Sequence, residues 1–205
     1  RSAELSEAVN LAAAEFNRIA IEVCRCAWPQ NGGLLLWAWK RPWPSVACQL
    51  VDGLGQPVQT YYVAKRGYAP LLPCLKLRSL ECTPGENLTL RPFLLNEDGK
   101  ETQNCRDRLR LFSSRPQECF SAEMKPEHPR VAVLRTDLPE QMFQVPETFR
   151  GSCFFAVLDA QKPEGTPARN FYIFRCMDNG NARTLRDQLA ETPAHLELQI
   201  LKQEE

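Results

Sequence analysis

Three tryptophans and two cations fall within seven residues of one another: Trp37, Trp39, Lys40, Arg41 and Trp43. Flat aromatic rings suit the apolar C–H faces of a sugar, and adjacent cations can hold its hydroxyls or a carboxylate. An unremarkable reading stands beside this one. Trp37 and Trp39 would equally serve as core, since a strand buried on both faces covers every side chain it carries. The cysteines offer less chemistry. There are nine, an odd number that cannot pair completely within one chain, and none forms a C-x-x-C pair. With only His128 and His195 to add, the roughly four clustered ligands of a zinc centre are not expected. No cofactor or metal is expected, and the cysteines read as small buried hydrophobes, mostly reduced. A lone sequon, Asn87-Leu88-Thr89, would accept a glycan only in a secreted protein, so the compartment stays open.

The elements that must position the aromatic cluster come next. The chain has 205 residues, 43% hydrophobic and 24% charged, an ordinary globular composition for one domain or one and a fraction. Lys+Arg and Asp+Glu both number 25, and a net charge of zero argues against a nucleic-acid partner. The longest apolar run, Gly33 to Trp39, is far short of the ~18 residues of a membrane span. The chain starts at Arg1 rather than Met, a hint of a piece of something longer, and shows no basic-then-apolar leader, although one could lie upstream.

A change of texture divides the chain near residue 72. Residues 3–27 carry apolar side chains at Leu5, Val9, Ala12, Phe16, Ile19 and Val23, the spacing of an amphipathic helix with that stripe inward. Trp28-Pro29 and Gly32-Gly33 end it. Residues 34–39 then read as a short strand buried on both faces, as in a parallel sheet. A proline-rich loop, a short apolar stretch from Val46 to Val51, a turn at Asp52-Gly53 and a helix from about Pro57 to Tyr68 follow. Beyond residue 72, eight short strands are expected at 75–82, 88–95, 109–112, 118–122, 131–135, 153–158, 171–175 and 196–201, while 177–191 is left between loop and short helix. Turn signals such as Pro84-Gly85 separate them, the signature of an immunoglobulin-like β-sandwich with Leu90, Phe93, Phe155, Tyr172 and Leu198 inside. The first part poses a problem. A lone buried strand with nothing to pair with is unstable in water, so either these residues pack on the sandwich in an unusual way or, the favoured reading, the missing strands belong to another chain or to an N-terminal part.

The aromatic block has a known counterpart. Gly33-x-Leu35-x-Trp37-x-Trp39-Lys40-Arg41-x-Trp43-Pro44 resembles the G-x-L-x-W-x-L-N-D-x-W-P signature of glycoside hydrolase family 2, in its β-mannosidase-like branch. Upstream, Ile21-Glu22-x-x-Arg25 is similar to the family's preceding helix; downstream, Asp52-x-x-Gly55, Tyr61-Tyr62 and Lys65-Arg66 are similar to its closing helix. Asn170-Phe171-Tyr172-Ile173-Phe174 and Pro193-Ala194-His195-Leu196 resemble strands of the family's C-terminal immunoglobulin-like domain.

The resemblance implies that residues 1–72 are the last helix, strand and helix of a (β/α)8 catalytic barrel, a partial α/β unit, and that 73–205 are an all-β immunoglobulin-like sandwich. Such enzymes are retaining exo-glycosidases. Their two carboxylates would lie at earlier barrel strands, so no catalytic residue is assigned here and the chain alone is expected to be inactive. Glu22, mid-helix, reads as a surface or helix-packing residue. Trp37, Trp43, Lys40 and Arg41 would form the wall of a sugar subsite at the catalytic face, with Trp39 in the core. Lys40-Arg41 replaces the family's Asn-Asp pair, and Cys48 replaces a tryptophan. The implied partners are the carbohydrate substrate of the whole enzyme and the remainder of the barrel, in the same or a separate chain, with no nucleic acid and no membrane. The competing reading is a stand-alone β-sandwich module for carbohydrate or protein binding. Such a module would keep its first helix solvated and show no apolar scar.

Overall fold

The computed structural model describes residues 2–43, 45, 49–97, 105–115, 117–125, 134–162 and 167–178. The chain forms two compact units, Arg1–Leu72 and Pro73–Glu205.

The first unit is built on two helices, α1 (Ser2–Cys26) and α2 (Gln59–Gly67). The apolar stripe of α1 does not face inward. Leu5, Phe16, Ile19 and Val23 are exposed, and the buried face instead carries Ala13, Ala14, Asn17, Arg18, Ile21 and Glu22. Close approach explains the choice. A β-carbon at Gly67 would sit 2.9 Å from Ile21 Cγ2, so the helices meet where side chains are small or absent. The buried charges are tied along the helix: Arg18 bonds Glu15 at 2.9 Å and Glu22 at 3.2 Å. Glu22 thus packs within the helix surface. Arg25 donates to the carbonyls of Gly67, Ala69 and Pro70, supplying donors to groups that the end of α2 leaves unbonded.

Residues 34–39 do not form the expected strand. The segment is irregular, with bends at Trp37 and Trp39, and its ladder is a single parallel bridge, Lys40 with Val51. Leu50 N–H donates to Ala38 O at 3.3 Å and Val51 N–H to Trp39 O at 2.9 Å. A full parallel ladder with the stretch ending at Val51 would need a longer crossover. One bridge does not need one. Val51 also bridges Pro57, antiparallel, and the turn between them closes on Asp52, whose Oδ1 accepts from Leu54 N at 2.9 Å and Gln56 N at 2.8 Å. Residues 46–48 of that stretch lie outside the described residues.

The second unit consists of two sheets. The first holds β1 (Leu71–Lys76), β3 (Asn87–Asn96) and β6 (Arg135–Asp137) in that order, with β7 (Gln141–Gln144) also on β3. The second runs β2 (Glu81–Cys82), β9 (Ala168–Cys176), β8 (Cys153–Gln161), β4 (Arg106–Ser113), β5 (Glu118–Met124). The β9–β8, β8–β4 and β4–β5 pairs are antiparallel; β2 joins β9 in parallel. This is an all-β sandwich. The expected strand 75–82 is two strands in different sheets, and β7 was not foreseen. Strand 196–201 with Leu198, and residues 179–191, lie outside the described residues.

Aromatic rings join the sheets. Phe154 of β8 stacks on its register partner Phe174 at 4.9 Å and meets Phe143 of β7 at 5.9 Å. Leu90, Phe93, Phe155 and Tyr172 are all buried, as the alternation implied. Phe155 nevertheless pairs with Ile173, on the face of the sheet away from Tyr172, so β8 is buried on both sides. Tyr172 spans the two sheets: its hydroxyl accepts from Leu75 N–H at 2.8 Å and from Asn170 Nδ2 at 3.3 Å. Asn170 Nδ2 also reaches Pro73 O at 3.0 Å. Tyr172→Phe leaves the buried Leu75 N–H without its acceptor. The expected cost is about 1–3 kcal/mol, read as a lower urea midpoint at unchanged slope; an unchanged midpoint would show that the bond adds nothing net.

Candidate functional site

The segment 33–43 presents its aromatics to solvent in an alternating pattern. Leu34 and Leu36 turn toward a small cluster of Ile21, Leu50 and Ala64, with Val51 and Tyr61 beside it. Their neighbours turn away: Leu35 is 97% exposed, Trp37 83% and Trp39 63%. Trp39 is therefore not a core residue, contrary to the expectation for it. It rests edge-on against Tyr61, centroids 6.0 Å apart, and Tyr61 in turn meets Tyr62 at 5.3 Å. The segment is fixed from behind by Tyr68, whose hydroxyl donates to Leu34 O at 2.7 Å. Burial, with Cys24 close by, raises the Tyr68 phenol above its usual range, so it stays a neutral donor.

The four residues assigned from sequence to a sugar wall sit as follows. Trp37, Trp43 and Lys40 are exposed and Arg41 is half-buried. No hydrogen bond, ion pair or ring contact joins them to one another among the described residues. Arg41 Nε is buried and has no hydrogen-bond partner among the described residues, which leaves a desolvated donor unused. Trp39 and Tyr61 extend the aromatic surface and were not foreseen as part of it. The one available signal was the period-2 spacing of Leu35, Trp37 and Trp39.

The second unit has a separate concavity of about 520 Å³, lined by residues of β4, β5, β8 and β9. Its charges are largely used internally: Asp159 holds Arg110 at 2.6 Å and Arg169 at 2.5 Å. Asp107, also on its lining, is different. It is 2% exposed, and neither carboxylate oxygen has a hydrogen-bond partner among the described residues. Burial alone pushes its carboxyl up to about 7, so the proton is held where an ordinary aspartate has lost it.

Comparison with known proteins adds the fold's relatives. No protein-family model matches the chain, and no curated protein matches it. Among solved structures, an exo-chitosanase of Amycolatopsis orientalis is similar at 15% identity and a TM-score of 0.57, over 81% of this chain and 19% of that one. A β-D-mannosidase from Dictyoglomus thermophilum is similar at 19% identity and a TM-score of 0.53, over 77% of this chain and 18% of that one. The fold is one shared with exo-glycosidases. It is like that found in glycoside hydrolase family 2. The chain spans about a fifth of the length of each of these enzymes.

Proposed function

We propose that this chain is the C-terminal portion of a retaining exo-glycosidase resembling β-mannosidase, acting on O-glycosidic bonds of oligosaccharides. In this reading residues 1–72 complete a (β/α)8 barrel whose other strands and both catalytic carboxylates lie elsewhere, and 73–205 form its immunoglobulin-like domain. The chain on its own is inactive. Trp37 and Trp43 stack on the sugar, while Lys40 and Arg41 bond its polar groups.

The observation that carries the reading is the bare apolar surface of the first unit. Leu35 and Trp37 on segment 33–43 and Phe16, Ile19 and Val23 on α1 are all open to solvent. In a barrel, strand side chains pack inward and helix stripes pack on strands, so these are the positions that further barrel elements would cover. The same surface speaks against a self-sufficient module. The match to the exo-chitosanase supports the reading further, because it spans more residues than the second unit holds.

The test is a longer polypeptide read upstream of Arg1 in the coding sequence. It should hydrolyse aryl β-glycosides, while the 205-residue chain should not. In the longer polypeptide Trp37→Ala should lower kcat/KM by tenfold or more, as expected for a lost stacking platform. Wild-type kcat/KM in that variant would remove Trp37 from the subsite. Turnover by the short chain that is abolished by a substitution within it would overturn the whole reading.

A further inference from the structure

Two buried cysteines face each other across the parallel junction of β2 and β9 in the second sheet. Cys82 ends β2 and Cys176 ends β9, and they are register partners, next to the pair Glu81 with Arg175. Neighbouring strands lie about 4.8 Å apart, inside the ~4.4–6.8 Å Cα separation that a disulfide accepts. Facing residues of a ladder project to the same side of the sheet, and Cys82 Sγ lies 3.5 Å from the carbonyl oxygen of Arg175, the residue before Cys176. The backbone on both sides is already fixed: Arg175 N–H donates to Leu80 O at 2.8 Å and Met177 N–H to Cys82 O at 2.9 Å. An ion pair of Arg175 with Glu81, 2.7 Å, holds the preceding rung. Among the described residues no other two cysteines are register partners; Cys153, for example, faces Arg175.

We propose that Cys82 and Cys176 are a disulfide-forming pair, a modification site that fastens the two-residue edge strand β2 to its neighbour β9. The oxidant is a small-molecule or oxidoreductase disulfide. One cysteine thiolate, having lost its proton, attacks a sulfur of that disulfide and releases one thiol. The second thiolate then attacks the mixed disulfide and releases the other. Two protein thiols and one disulfide become one protein disulfide and two thiols. Timing follows from burial. In the folded chain Cys82 is 3% exposed and Cys176 fully buried. Burial and its neighbours push the Cys82 thiol up to about 12, so little nucleophilic thiolate is available once the sheet has closed. The bond therefore forms while the chain is folding.

The experiment uses the full 205-residue chain, refolded from denaturant with a mixture of reduced and oxidised glutathione. Soluble chains are alkylated in denaturant and cut with trypsin, which places Cys82 in peptide 79–100 and Cys176 in peptide 176–183. The expected result is a cross-link between those two peptides in most soluble chains, with at least tenfold less alkylation of both cysteines than in chains refolded with excess reductant. Cys82→Ser should leave Cys176 alkylated rather than paired elsewhere. Directing the chain to an oxidising compartment during synthesis, with the same trapping, gives a second route that needs no refolding and no variant. Soluble chains in which both cysteines are fully alkylated, or in which Cys176 is joined to a different cysteine, would overturn the proposal.

Discussion

Asp107→Asn should make the second unit more stable at pH 8 by as much as about 4 kcal/mol, with little change at pH 4. The sign follows from linkage. An aspartyl carboxyl released by unfolding ionises near 3.8, while in the fold Asp107 keeps its proton up to about 7. Between these values the unfolded chain sheds a proton that the folded chain retains. Stability therefore falls as pH rises through this window, by up to about 1.4 kcal/mol per pH unit, and levels off above it. Asparagine is neutral throughout and occupies nearly the same space, so the fall should vanish with it. Urea unfolding of both proteins at pH 4, 6 and 8 measures the effect. Parallel stability profiles for the two would mean that the carboxyl finds a partner or water and ionises normally.

The second large effect concerns association. The isolated chain should self-associate at micromolar concentration and bind a hydrophobic dye, because Leu35, Trp37, Phe16, Ile19 and Val23 all stand uncovered. Each such side chain forgoes roughly 1.5–3 kcal/mol of burial. Polar substitutions at exposed positions usually change stability by only about 0.5 kcal/mol, so a variant with serine at Leu35, Trp37 and Ile19 should stay folded. It should also sediment as a monomer. A wild-type chain that is monomeric at tens of micromolar, without dye binding, would contradict this expectation and weaken the barrel reading with it.

Much of the sandwich is visible in its residues. Strands such as β3, β8 and β9 are rich in branched and aromatic side chains and end at turn residues, and local pattern suffices to find them. What local pattern cannot give is the sheet each strand joins. Nothing in residues 71–82 tells that β1 and β2 part company, since that depends on partners far along the chain. The face of α1 was misread for a related reason. Periodicity detects the stripe of Leu5, Phe16, Ile19 and Val23, but not whether this chain holds anything to cover it. The face that is buried carries Asn17, Arg18 and Glu22, which hydropathy assigns to solvent and ion pairing makes tolerable. At the aromatic site, the types Trp, Lys and Arg were legible. The outward turn of Trp39 was not, because alternation in the sequence fixes which residues share a side and leaves open which side is inside. Asp107 left no trace at all: one acid between Arg106 and Arg108 looks like a solvated charge.

All four tryptophans lie between residues 28 and 43, and all four are open to solvent. The chain therefore carries its own optical probe, confined to the first unit. Its emission should start near the wavelength of indole in water and scarcely change when the second unit unfolds, an event visible instead in the ring-current and circular-dichroism signals of Phe154, Phe174 and Tyr172. Any surface that covers Leu35 and Trp37 should shift that emission to the blue, and a sugar stacked on Trp37 or Trp43 should alter its intensity. Two different occupants of the same face could thus be told apart in one cuvette, without a label.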